Sequence, residues 1–356
     1  MPQIVATATA FPPNYYDQVA LERTLLQLGE REGVRFDQRK VHRLFESVSV
    51  KGRYLALPAE QYAEKRGFGA RNDAWIESAL ELGEAVLRGV FARSGLSPDR
   101  IALLASTTVT GVAVPSIEAR LMNRLGFAAS TKRLPLFGLG CVAGAAGIAR
   151  VSDYLRAFPD EAAVLVSVEL CSLTVQRDDI SVANIVASGL FGDAAAAVLL
   201  VGDAHPLSGR DHPSVVGTRS VFFPQTERVM GWDVVDTGFR IVLSPGVPEL
   251  ARGALVLAIR EFLRDADLSV ADVDEWIAHP GGPAVIDAVE AGLELPPEAL
   301  SRSRESLSRL GNLSSASVLH ILDETLAARA TREGPATGLL FAMGPGFCAE
   351  LVGLEW

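Results

Sequence analysis

Three short segments combine a side chain able to do chemistry with glycines and a helical pattern. Cys141 stands in PLFGLGCVAGAAG, where an apolar run meets glycines, then the thiol, then small residues. A thiol at such a strand-to-helix turn would sit at a helix N-terminus, where the helix dipole and free N–H groups favour the thiolate. The same residue can equally be a buried structural cysteine, the commoner fate of a free thiol. His279 stands in WIAHPGGPAVIDAV, at the end of a short strand and before a Pro-Gly-Gly turn. Such glycines would let a bulky ligand reach the imidazole; the plainer reading is a loop histidine bonded to backbone. Asn312, in LGNLSSASVLHIL, opens a helix and on its own reads as a helix cap. His42, His205, His212 and His320 lack such settings and are expected on the surface or in the core, His320 as a satisfied mid-helix group.

The elements around these residues alternate between strand and helix patterns, which favours an α/β architecture. Residues 71–93 predict an amphipathic helix with Ile76, Leu80, Leu87 and Phe91 on one face, stopped by Gly95. Strands are expected at 101–107, 132–140, 161–170 and 193–202, the second leading into a small-residue helix near Cys141. The second half replays this order: a helix over 248–266, a strand over 275–278, a helix over 314–330 and closing strands at 338–343 and 347–354. In the 314–330 helix, Val318, Ile321, Leu322 and Leu326 share one side. The replay suggests duplication, with halves at 1–212, carrying the cysteine, and 213–356, carrying the histidine and asparagine. Segment 203–235, richer in Pro, Gly, Asp and His, is expected to be a boundary or a loop over a site.

Bulk composition narrows the class. The chain has 356 residues, 49% of them apolar, and a formal net charge of −10. That acidity argues against a nucleic-acid binder. Its three cysteines, Cys141, Cys171 and Cys348, are too few and too odd for a disulfide framework. Without a Cys-x-x-Cys pair, a structural zinc site is not expected. The start MPQIVATATAFPP lacks a signal-peptide pattern. The longest apolar run, 135–149, is too short and glycine-rich to span a bilayer. The expectation is a soluble, cytoplasmic protein without stable membrane insertion.

Taken together, GLGCVAGAAG, HPGGP, GNLSSAS and MGPGF resemble the active-site Cys, His, Asn and closing glycine-loop motifs of type III polyketide synthases, the chalcone synthase-like superfamily. LFGDAAAAVLL (190–200) resembles the segment that carries that family's gatekeeper, here Phe191. The resemblance runs over essentially the whole chain. SVKGRYLALP, TVTGVAVPS, RLPLFGLGCVAGAAG, VSVELCSLT, MGWD and AMGPGFC resemble its bacterial alkylpyrone-forming branch. The resemblance implies a thiolase-like, five-layered αβαβα fold made of two duplicated halves, and a homodimer. It implies catalytic roles for Cys141, His279 and Asn312, with CoA thioesters as substrates and no cofactor or metal. It places Lys40 and Arg43 on CoA-contacting positions, although the third basic position is Ser47 here; the alternative for these residues is a solvated helix face. It puts Ser314 beside the cavity, with Thr174 among the binding residues. Gly344, Pro345 and Gly346 would form the wall-shaping loop, or otherwise a plain turn. Val114, which would reach the neighbour's cavity, stands where plant relatives carry Met. Cys171 stands in place of Thr and Ile241 in place of a second gatekeeper Phe.

The implied mechanism begins with acylation of the Cys141 thiolate, held as an ion pair by His279. His279 and Asn312 would then hold the malonyl carbonyl while carbon dioxide leaves, and the enolate would attack acyl-Cys141. An aliphatic wall at Val114, Cys171 and Ile241 implies a medium- or long-chain fatty acyl-CoA starter and alkyl α-pyrone products. The extender is malonyl-CoA, with methylmalonyl-CoA open. Alternatives are an alkylresorcinol synthase, a single-round ketoacyl-ACP synthase III-like enzyme, whose motif reads His-Gln-Ala-Asn rather than HPGGP, an HMG-CoA synthase, and a silent acyl-binding subunit.

Overall fold

Strands β6 (Ala162–Leu170) and β7 (Asp193–Val201) of this computed structural model, which describes residues 1–64, 67–209, 211–332 and 334–356, are buried along their whole length. Their side chains alternate between two cores: Val164, Val166 and Val168 enter one, and Ala163 and Leu165 enter another. A strand buried on both faces needs a layer on each side.

The remaining elements supply those layers. The first half runs β1 (Gln3–Ala10), β2 (Asn14–Asp17), α1 (Gln18–Arg31), α2 (Gln38–Ser47), β3 (Gly52–Leu55), α3 (Phe68–Ser94), β4 (Ile101–Thr108), α4 (Ile117–Leu125), β5 (Lys132–Phe137) and α5 (Ala143–Ala157), then β6, α6 (Val182–Leu190) and β7. The second runs β8 (Ser214–Phe222), β9 (Met230–Val235), β10 (Gly238–Leu243), α7 (Val247–Leu250), α8 (Val256–Arg264), β11 (Glu275–Ala278), α9 (Pro283–Leu293), α10 (Ser301–Leu310), α11 (Ser315–Arg329), β12 (Thr337–Gly344) and β13 (Cys348–Glu355). A π-helical turn, Ala251–Leu255, joins α7 to α8.

The strand order is β11-β12-β13-β8-β1-β7-β6-β4-β5. Only the pair Gln3–Ser214 joins β1 to β8, so the order divides into two sheets there. Their pairing repeats. β1 is antiparallel to β7, β7 antiparallel to β6, and β6 parallel to β4. Likewise β8 is antiparallel to β13, β13 antiparallel to β12, and β12 parallel to β11. Helices α5 and α11 lie between the sheets, sharing one core with their inner faces. Helices α1 and α3 cover the outer face of the first sheet, and α8 and α9 that of the second. The result is the five-layered αβαβα fold implied by the resemblance.

Several local expectations change. Residues 315–322 of α11 are buried all round, because a helix between two sheets has no solvent face. The 132–140 strand ends at Phe137, where Gly138 and Gly140 take positive φ values of 90° and 55°. Segment 203–235 holds β8, the strand through which the second sheet meets β1, and β9; its turn-rich composition is concentrated before Ser214. His320 is buried as expected, between Thr9 and Glu324.

The α5–α11 contact depends on Gly144, where a Cβ would lie 2.3 Å from the Ser315 carbonyl oxygen and 2.7 Å from Val318. Gly144→Val is expected to destabilise the protein by about 3 kcal/mol through overpacking, read as a lowered urea midpoint. Gly69→Ala, at an exposed helical glycine with open space around it, should raise the midpoint slightly. Equal losses would contradict the proposed importance of the inter-helix contact.

Candidate active site

Each motif becomes a tight junction. After β5 the chain passes through Gly138, Leu139 and a 3₁₀ turn, Gly140–Val142, that presents Cys141 one residue before the turn gives way to α5. A Cβ on Gly140 would meet Pro345 at 2.6 Å, and one on Gly344 would meet the Leu139 oxygen at 2.5 Å. The 344–346 loop therefore packs directly on the cysteine turn. Gly311, at φ 73°, brings Asn312 beside α6: Asn312 donates its N–H to the Leu190 oxygen (2.8 Å) and accepts from the Gly192 N–H (2.9 Å). Phe191 and Asn312 thereby form a parallel β-bridge. The Asn312 side chain is not a helix cap: its Oδ1 accepts from the Ser314 N–H (2.8 Å), while Nδ2 donates weakly to the Gly281 oxygen (3.4 Å). His279 follows β11 and donates its backbone N–H to Phe341 (3.0 Å).

One cavity brings Cys141, His279 and Asn312 together. Ser314, Phe191, Cys171, Ile241 and Pro345 also line it. A second cavity shares Cys171, Phe191, Trp232 and Ile241 with the first and continues past Thr174 toward Leu21, Leu25, Leu28 and Leu55. Gly344 and Gly346 act as backbone around Pro345 rather than as lining. Lys40, half-buried, and Arg43, exposed, stand on α2 and line neither cavity. Ser47 donates to the Leu44 oxygen of its own helix (2.8 Å). Val114 is 96% exposed and lines neither of these cavities.

Burial reverses the expected electrostatics. The Cys141 thiol is pushed up to about 12, first by desolvation and then by the nearby Glu169 charge, against its hydrogen bonding with Ser314 and Asn312. Burial also lowers His279 to about 3. Burial therefore opposes the charged form of both groups and works against the ion pair that the resemblance implies. The helix N-terminus does not win because the sulfur lies in the turn ahead of α5, in a half-buried setting where desolvation outweighs the dipole. His279 Nδ1 is buried without a partner among the described residues. His279 and Asn312 line the same cavity as the sulfur, and their side-chain N–H groups suit a thioester oxygen that gains negative charge.

Glu169 is the group that motif reading missed. It is fully buried, and desolvation raises its carboxyl to about 7. It accepts from the Val109 N–H (3.1 Å), Thr110 Oγ1 (3.0 Å), Ser314 Oγ (3.2 Å) and Ser315 Oγ. Cys141 Sγ donates to Ser314 Oγ at 3.6 Å, so a hydrogen-bonded chain runs from the thiol to the carboxylate. The signal was available: an acid inside the apolar run VSVEL is rarely buried without polar partners.

Glu169→Gln removes a negative charge that disfavours the thiolate. Because Glu169 titrates at about 7, that penalty exists above neutrality and fades as the carboxyl protonates. Alkylation of Cys141 by iodoacetamide should therefore be faster in the variant, with an advantage that grows from pH 6 to pH 8. Identical rates across this range would show that the carboxylate is not felt at the sulfur.

Comparison with known proteins places this geometry. Residues 1–204 match the N-terminal domain of chalcone and stilbene synthases, and residues 214–355 match their C-terminal domain. The chain is 48% identical over 354 residues to a 1,3,6,8-tetrahydroxynaphthalene synthase of Streptomyces peucetius subsp. caesius, covering 99% of this chain and 93% of that protein. It is 33% identical over 314 residues to a phloroglucinol synthase of Pseudomonas fluorescens, covering 88% of each. The crystal structure of the Streptomyces coelicolor A3(2) 1,3,6,8-tetrahydroxynaphthalene synthase superposes with a TM-score of 0.91 at 31% identity, covering 99% of both chains. Enzymes of this kind are acyltransferases that condense CoA thioesters by decarboxylation and need no cofactor. With both of its halves matched, the chain belongs to the chalcone and stilbene synthase family and is a type III polyketide synthase.

Proposed function

We propose that this enzyme loads a medium- or long-chain fatty acyl group from CoA onto Cys141, extends it with malonyl-CoA and releases an alkyl α-pyrone. The observation that carries this reading is the second cavity, whose leucines continue from the shared wall of Cys171, Phe191, Trp232 and Ile241. Each methylene buried there is worth about 0.8 kcal/mol, which favours a long chain over acetyl without any polar contact.

In this mechanism Sγ attacks the starter carbonyl and the thiol proton ends on the departing CoA sulfur. The side-chain N–H groups of His279 and Asn312 hold the malonyl thioester oxygen, so the carbon–carbon bond to the leaving carboxylate breaks into an enolate that they stabilise. The enolate carbon attacks acyl-Cys141 and displaces Sγ, leaving a chain two carbons longer on CoA, which Sγ takes back with release of CoA before the next step. After further rounds, an enol oxygen attacks the Cys141 thioester and closes the lactone. Lys40 and Arg43 are assigned to the CoA phosphates. We place the enzyme in the cytoplasm on the strength of its free thiols, and its products in lipid biosynthesis. A homodimer is favoured by β5, a sheet-edge strand with Phe137 55% exposed, and by the outward Val114.

A second reading rests on the tetrahydroxynaphthalene synthase relative: priming by malonyl units alone, with an aromatic product. Incubation with lauroyl-, palmitoyl-, acetyl- or coumaroyl-CoA plus malonyl-CoA, and with malonyl-CoA alone, separates the two. The expected result is a higher kcat/KM for the fatty starters and α-pyrones by mass spectrometry. Efficient conversion of malonyl-CoA alone to a polyhydroxylated naphthalene would replace the fatty reading, and dominant alkylresorcinols would replace the lactone closure. Methylmalonyl-CoA and carrier-bound malonate, added in turn, test the extender and the single-round alternative.

The division of labour at the site gives a further expectation. Asn312→Ala should slow malonyl decarboxylation by about 10²–10³-fold, as removal of one oxyanion donor does, while acylation of Cys141, followed by mass, stays near wild type. Equal losses in both steps would contradict the role given to Asn312.

A further inference from the structure

Strands β9 and β10 pair only with each other and join neither large sheet. Even so, this hairpin supplies Met230, Gly231, Trp232, Ile241 and Leu243 to the cavity that holds Cys141. On its outer side, Arg228 and Arg240 bracket Asp233 of the same hairpin at 2.7 and 3.6 Å, partly in solvent. Met230 and Leu243 pack against the core of the second half at the open end of the hairpin, and the far end, at the turn, needs its own anchor.

The anchor lies at the turn. Thr237 donates its Oγ1–H to Gln176 Oε1 (2.6 Å), and Gln176 Nε2 donates to the oxygens of Phe239 (3.0 Å) and Thr174 (3.1 Å). Arg71, in the first turns of α3, donates Nη2 to the Thr237 oxygen and Nη1 to the Val175 oxygen (2.6 Å). The hairpin turn is thus tied to the 171–177 segment, which carries Cys171 and Thr174 into the cavities. Packing follows the same line: Phe239 meets Phe68 edge-on at 5.3 Å and Trp232 at 6.2 Å. At Gly238, φ 107°, a Cβ would come within 2.9 Å of Phe68 and 3.4 Å of Arg71 Nη2.

Arg71 is 5% exposed, and both hydrogen bonds given above go to backbone carbonyls, while against desolvation the Asp178 charge nearby favours its charged form. The planar fork of its guanidinium fixes two acceptors at a set separation. We propose that Arg71 and Gln176 form a clasp on the β9–β10 turn that sets the position of the cavity wall, and with it the number of extensions the enzyme completes. They are positioning residues, acting through Trp232 and Ile241 and not on the substrate. This rests on reading the cavity as the place where the chain grows.

The test uses whichever starter the wild-type enzyme prefers, so failure of the fatty-acyl reading leaves it intact. Thr237→Val removes the hydroxyl and keeps the shape, Thr237→Ser keeps the hydroxyl, and Gln176→Ala and Arg71→Met remove the clasp. Product lengths are measured by mass spectrometry alongside the rate of malonyl-CoA decarboxylation and the melting temperature. The expected result is a change of about fivefold, the worth of one hydrogen bond, in the ratio of the longest product to the next shorter one for Thr237→Val. Thr237→Ser should restore the wild-type ratio, and decarboxylation should hold in both. An unchanged product ratio in a folded Thr237→Val, or a fall in decarboxylation that matches every change in product, would overturn the clasp. Because Thr237→Val alters only one exchangeable bond, it decides the matter even if Arg71→Met does not fold.

Discussion

The contact between α5 and α11 is the constraint on which the rest depends. Two sheets can share a single middle layer only if the helices between them approach closely, and the run AGAAG in α5 permits this against Ser315 and Val318. The turn before α5 carries Cys141, and the turn before α11 carries Asn312. Closing the middle layer therefore brings a residue from each half to one point. His279 is added from the end of β11, and the 344–346 loop packs over the cysteine turn. The same duplication that builds the fold aims its two helix starts at one cavity.

That location has an electrostatic cost. A thiol and an imidazole sealed between sheets both favour their neutral forms, and the Glu169 carboxylate nearby further opposes a thiolate. Local motif logic, in which a helix start lowers a thiol pKa, loses to desolvation, which depends on layers distant in sequence. In the proposed mechanism this environment favours uncharged donors, whose fixed orientation is worth most for an oxygen that becomes negative only during reaction.

What could be read from the sequence follows the same physical division. Cys141, His279 and Asn312 were legible because glycines mark their junctions, and β4, β6, β7 and β12 because strands buried on both faces are apolar runs. The all-round burial of α11 was not legible, since its residues show a partial stripe and only the second sheet removes its solvent face. Glu169 was hidden because its partners Ser314 and Ser315 come from the other half of the chain. Segment 203–235 read as a loop because turn residues before Ser214 outweighed β8, whose place between β1 and β13 is a tertiary fact. Lys40, Arg43 and Val114 remain outside both cavities, where no pattern within the chain can locate them.

The site therefore separates two tasks by stiffness. Cys141 and Asn312 stand at the helix starts of the middle layer, whose helices pack into the core shared by both sheets. The wall that meets the growing chain belongs to a hairpin outside both large sheets, held at its turn by a few polar bonds and an aromatic contact. Sequence changes in the hairpin or its anchors can move the wall without touching the helix starts. This mechanical independence arises because β9 and β10 pair with each other instead of extending a sheet.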